Sequence, residues 1–217
     1  MKGSSLVSLI VSCAVLVTGS LSVFAQSQRY PTDAEIVRLI REFQQRASSS
    51  PYSRECCGGW ERDRRTSSEK QALESFVKAR SRVDPTVAPF LGWWVNNDGD
   101  IGVYPSNVRG RVCVIRASPG PIYKFSVGSI DKQHIRLTGE LAGRVLINQK
   151  NPSGNVFLLV AFVDRNNVAR AEPGSDIYTY PELPKDPTKL DVSRADPQEN
   201  SKIVREFKAA GCISSIR

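Results

Sequence analysis

The chain has 217 residues, with 30 Lys and Arg against 22 Asp and Glu, one His and five Cys, and 40% of its residues are apolar. It is long enough for one sizeable core. The net charge of +8 is spread along the chain rather than gathered: Arg62, Arg64 and Arg65 alternate with Glu61 and Asp63. This argues against a nucleic-acid binder, which concentrates its basic residues on one face or helix, and leaves weak attraction to acidic surfaces such as anionic glycans or lipid headgroups.

Residues 1–25 read as a secretory signal. Lys2 is the positive start, Leu6 to Val17 the apolar stretch, and Val23-Phe24-Ala25 the small-x-Ala cleavage site. The rival is a lipobox at Ile10-Val11-Ser12-Cys13, but too little apolar chain precedes Cys13 and the apolar run continues past it. The expectation is an exported, periplasmic or extracellular protein with no membrane span after cleavage. Export leaves Cys56, Cys57, Cys113 and Cys212 in an oxidising compartment, so two disulfides are expected. A bond between adjacent Cys56 and Cys57 closes a strained ring. One of them is therefore expected to pair with Cys113 and the other with Cys212.

A helical region is expected over 26–88. Thr32-Asp33-Ala34-Glu35 is a capping box, followed by the stripe Ile36, Leu39, Ile40 and Phe43. Thr66-Ser67-Ser68-Glu69 is a second capping box, leading into Ala72, Leu73, Phe76 and Val77 before Asp84-Pro85 stops the helix. The two helices are expected to form a pair. Between them, Arg54 to Trp60 reads as a tight loop held by its vicinal cysteines.

From 89 to 180 the pattern is that of strands. Turn clusters recur at short intervals, and strands are expected near 90–96, 100–105, 110–117, 121–128, 132–138, 143–149 and 155–164, with a weaker one near 167–171 or 176–180. Val156 to Val163 is apolar throughout and reads as central. The connections are too short for crossover helices, so the sheet is expected to be antiparallel. Residues 181–217 form the last region. The prolines from Pro173 to Pro187 make an extended strap poor at forming helix or central strand. A helix then starts at Asp196-Pro197, carries Ile203, Val204 and Phe207, and ends at Gly211. The expected fold is α+β: an antiparallel small barrel or half-barrel of about seven or eight short strands, two N-terminal helices and one C-terminal helix.

Chemistry is harder to find. Asp98-Gly99 reads as a hairpin turn rather than a calcium loop, which would need glycine at Ile101 and glutamate at Asn107. His134 stands on an alternating strand with no catalytic motif beside it. No phosphate loop, haem-attachment sequence or metal cluster is present, so neither cofactor nor metal is expected. The preferred reading is a non-enzymatic binding protein for a small apolar ligand or an envelope protein. Trp93, Tyr104, Tyr123 and Phe125 are the candidate lining, because binding surfaces use rigid aromatics. The alternatives are a hydrolase built on carboxylates such as Asp98, Asp100, Glu140 and Asp164, and a structural envelope protein with no ligand.

Ala88-Pro89-Phe90-Leu91-Gly92-Trp93-Trp94, with Gly-x-Trp on the first strand of a small antiparallel barrel, resembles the calycins: lipocalins, fatty-acid-binding proteins and a compact bacterial protease-inhibitor family. The resemblance implies that Gly92 lets the first strand bend, that Trp94 plugs the closed end, and that Arg165 or Arg170 covers it. The strands here are shorter than a lipocalin's, and the helical region before Gly92 is additional to that pattern. Pro89-Phe90-Leu91-Gly92-x-Trp94, Val103-Tyr104-Pro105-Ser106, Gly110-Arg111-Val112-Cys113 and Ala210-Gly211-Cys212 together resemble small exported cyanobacterial proteins. That likeness implies a setting and no mechanism.

Overall fold

The computed structural model describes residues 29–49, 63, 65–96, 99–118, 123–150, 156–171, 177–190 and 197–214. The signal segment, Asp98 and the loop with Cys56, Cys57 and Trp60 lie outside these. Three helices are described: α1 (Asp33–Ser49), α2 (Ser67–Ser81) and α3 (Pro197–Ala209). The strands are β1 (Gly92–Asn96), β2 (Gly99–Pro105), β3 (Arg111–Ala117), β4 (Tyr123–Asp131), β5 (His134–Leu137), β6 (Val145–Lys150), β7 (Val156–Val163), β8 (Ala169–Ala171) and β9 (Ile177–Glu182).

All pairings are antiparallel, and the sheet is strongly curled. Hairpins join β1 through β7 in sequence order. β9 pairs with β7 on one side and β1 on the other, so the ladder of pairings returns to its start. The strand count exceeds expectation because both candidate late strands exist. β7 has eight residues, and one edge takes two short partners: β9 along Phe157–Leu159 and β8 along Ala161–Val163.

The strap also departs from expectation, because β9 inside it is a central strand. Proline is tolerated there because the ladder breaks at it. Trp93 faces Glu182 and Val95 faces Thr179, which leaves Tyr180 and Pro181 opposite Trp94 alone. Such a bulge removes the need for the missing N–H. Tyr180 takes the left-handed φ of 47° that the bulge requires, and the Pro181 carbonyl accepts from Arg65 Nη1 at 2.6 Å. Gly92, at φ 140°, runs so close to the bulge that a Cβ there would lie 2.7 Å from Pro181 Cβ.

Both faces of the sheet are apolar and both are covered. Successive side chains alternate sides: Val112, Val114, Leu146, Leu158 and Val160 point into the interior with Trp94, Ile101 and Ile135. Their neighbours Cys113 and Ile115 face outward to α3, and Val145, Ile147, Leu159 and Ala161 face outward to α1. The helices therefore do not form the expected N-terminal pair. The one-sided stripe Ile36, Leu39 and Phe43 lays α1 across the outer face of β6–β8. α2 instead sends Leu73 and Phe76 into the interior cluster, beside Val87, Phe90 and Leu91.

Local signals account for the helix ends. Thr32 and Glu35 form the reciprocal cap before α1, with Thr32 N donating to Glu35 Oε2 at 2.8 Å and Glu35 N to Thr32 Oγ1 at 3.3 Å. Thr66 and Glu69 repeat it before α2. Gly211, at φ 70°, follows α3. Cys212 then pairs as an isolated bridge with Ser106 and bonds directly to Cys113, with Cα atoms 5.9 Å apart. This corrects the expected pairing through Cys56 and Cys57. The C-terminal helix returns its own cysteine to β3, a meeting that the loop-strain argument about the vicinal pair had no means to foresee.

Candidate functional site

The aromatic residues singled out in the sequence do come together, beneath a helix. Trp93, Tyr104 and Phe125 are buried with Ile115 under Ile203 and Phe207 of α3. The Phe207 ring stands edge-on to Tyr104 and Phe125, with centroids 4.9 and 6.4 Å away. Tyr123 is half-buried at the margin of this cluster. An apolar ligand would reach these rings only if α3 moved.

The polar atoms of the cluster are satisfied. Trp93 Nε1 donates to Asp100 Oδ2 at 2.7 Å, and the Lys185 ammonium sits 4.6 Å from the Trp93 ring centroid and 3.5 Å from Asp100. The Tyr104 hydroxyl donates to the Lys185 carbonyl at 2.8 Å, and burial holds that phenol far above its ordinary pKa. Trp94, on the opposite face, donates from Nε1 to the Phe90 carbonyl at 2.8 Å. Of the two arginines proposed to cover Trp94, Arg170 pairs with Asp164 on the other side of the β7–β8 turn, and Arg165 is exposed in that turn.

The three candidate carboxylates among the described residues are each engaged by a different cation. Asp100 meets Lys185, Glu140 accepts from Lys202 at 2.7 Å, and Asp164 meets Arg170 while also accepting the N–H groups of Asn166 and Val168. The hydrogen bonds from those N–H groups and from Arg170 hold Asp164 below the ordinary carboxylate range, with that of Val168 foremost. Among the described residues no three His, Cys, Asp or Glu side chains are grouped to hold a metal ion.

A concavity lies on the outer surface of α3. It is a shallow groove of about 430 Å³ between α3 and the short turn Pro187–Lys189, lined by Thr188, Asn200, Ser201, Val204, Arg205 and Lys208. Its shape follows from two local features. Asn200, Ser201, Val204, Arg205 and Lys208 fall on one helical stripe, because positions three and four apart share a face. The turn is held by Asp186, whose carboxylate caps it by accepting from Thr188 N at 2.9 Å and Thr188 Oγ1 at 2.8 Å. Those bonds, with that of the Thr188 N–H foremost, keep Asp186 ionised below its ordinary range.

Among the described residues no acidic side chain lines the groove, and Arg205 and Lys208 make no side-chain ion pair or hydrogen bond. Their positive charge is thus directed at whatever occupies it. Sequence reasoning missed these residues because the charge of residues 171–217 nearly balances. The available signal was the polar stripe beside Ile203 and Phe207.

Comparison with known proteins adds no relative: the chain matches no family model, no curated protein and no solved structure.

Proposed function

We propose that this is an exported, non-enzymatic binding protein that recognises an acidic sugar in the groove between α3 and Pro187–Lys189. The observation that carries this reading is the groove's pair of cations, Arg205 and Lys208, which make no ion pair among the described residues and are set among hydroxyl and amide groups. A guanidinium matches a carboxylate or sulfate with two parallel bonds. Asn200 offers the bonds that sugar hydroxyls want, and Val204 offers an apolar patch for the ring's C–H face.

Titration with a glucuronate-bearing disaccharide and its neutral counterpart tests the reading. Binding of the acidic sugar alone is expected, with Arg205→Ala and Lys208→Ala each weakening it about tenfold or more. Equal binding of the neutral sugar, or affinities unchanged in both variants, would sink it.

A second reading, a structural envelope protein with no ligand, draws on one observation: both faces of the sheet are already covered and three of the four candidate aromatics, Trp93, Tyr104 and Phe125, are core. It predicts no saturable sugar binding at all.

A further inference from the structure

A different surface carries unpaired charge together with exposed apolar side chains. Beyond α2 the chain turns at Arg82-Val83-Asp84-Pro85, and between β2 and β3 it turns at Asn107-Val108-Arg109-Gly110. Buried Asp84 fastens the two turns side by side. It accepts the Gly110 N–H at 2.5 Å, the Thr86 hydroxyl at 2.6 Å and the Thr86 N–H at 3.1 Å. Arg82, Arg109 and Arg111 are all exposed and make no side-chain ion pair or hydrogen bond among the described residues. Val83, at 71%, is the most exposed large apolar side chain among them, and Val108 is 45% exposed.

The acids nearest in the pairing are already held. Asp84 is engaged as described, and Asp131, two residues beyond the Ser129 that faces Arg111, pairs with Arg136 at 2.7 Å. The patch therefore presents three free guanidinium groups around two aliphatic side chains. Nucleic-acid grooves add aromatic rings on which bases stack, and protein interfaces centre on buried aromatic anchors. This patch has neither. Aliphatic side chains that enter the headgroup boundary, with arginines to pair with phosphates, are what an anionic bilayer surface accepts. We propose that the rim formed by Arg82, Val83, Val108, Arg109 and Arg111 docks the protein on the surface of an anionic lipid bilayer.

The proposal is tested by co-sedimentation of the full chain with vesicles of phosphatidylcholine, with and without phosphatidylglycerol. The readout is the ratio of the two partition coefficients, compared between each variant and the unsubstituted chain so that whatever residues 1–25 contribute is common to both. A ratio well above one is expected. Val83→Ser with Val108→Ser should lower the partition coefficient on the phosphatidylglycerol vesicles several-fold, and the combined Arg82→Ala, Arg109→Ala and Arg111→Ala variant should lower the ratio on the order of 100-fold. A control triple, Lys124→Ala, Lys150→Ala and Arg165→Ala, removes the same charge from other exposed positions and should change it little. A ratio near one, or an equal loss in the control, overturns the proposal. Circular dichroism of each variant confirms that it is folded, and sugar binding at the α3 groove should be unchanged in all of them.

Discussion

Trp93 and Asp100 meet across the β1–β2 hairpin, where the indole N–H donates to the carboxylate at 2.7 Å although the ring itself is buried. The bond joins the aromatic cluster under α3 to the strap, because Lys185 contacts both partners. Asp100→Ala is expected to destabilise by about 1–2 kcal/mol, since it leaves a buried donor unpaired. Lys185→Ala should cost less, about 0.5–1 kcal/mol, because that ammonium is half exposed. Denaturant unfolding of both variants and of the double variant checks this. Strictly additive losses would show that Asp100 and Lys185 do not act together.

The disulfide closes a loop with a sequence separation of 99 residues. Non-reducing peptide mapping should yield Cys113 linked to Cys212, and a link from Cys113 to Cys56 or Cys57 would contradict the structure. Cys113→Ser with Cys212→Ser is expected to cost about 3–4 kcal/mol. Hydrogen exchange in the double variant should rise more in α3 than in β6, because the bond fastens the end of that helix.

Two glycines separate space from conformation. A Cβ on Gly128 would overlap Ile135 and sit 2.9 Å from Leu137 in the core inside the curled sheet, so Gly128→Ala should cost about 1–3 kcal/mol through overpacking. Gly110 has nothing within 4 Å of a built Cβ but holds a φ of 73°. Gly110→Ala should therefore cost about 1–2 kcal/mol from backbone strain alone. Thermal unfolding compares them, and a large loss at Gly110 with none at Gly128 would contradict the assigned packing.

Glu35 gives the N-terminal cap a pH dependence. The Arg29 guanidinium foremost, and then the Thr32 N–H, lower its pKa to about 2. A carboxylate whose folded pKa is depressed binds fewer protons folded than unfolded. Its contribution is present above the ordinary glutamate value and is lost as pH falls through about 2. Glu35→Gln should therefore flatten the fall of Tm with acidification between about pH 4 and pH 2, leaving the slope above pH 6 unchanged. An unaltered acid limb would show that the Arg29–Glu35 pair adds nothing.

The sequence by itself determined what depends on neighbours a few residues apart. Both N-terminal capping boxes, Pro197 at the start of α3 and Gly211 after it follow from hydrogen bonds closed within one turn. The β1–β2 hairpin is equally local, with Asn96 facing Gly99. Tertiary structure alone decided which face of each strand is inside. Alternation sends Val112 and Cys113 to opposite sides, but when both sides are apolar the period does not say which one a helix covers. It also decided that β7 carries two partners on one edge, that Pro181 fits at a bulge beside Trp94, and that Cys212 reaches Cys113. The α3 groove and the arginine rim belong to the same class. Their charges are ordinary in the sequence; it is the packing of Pro187–Lys189 against α3, and of the turn after α2 beside the β2–β3 turn through Asp84, that groups those cations without ion-pair partners among the described residues.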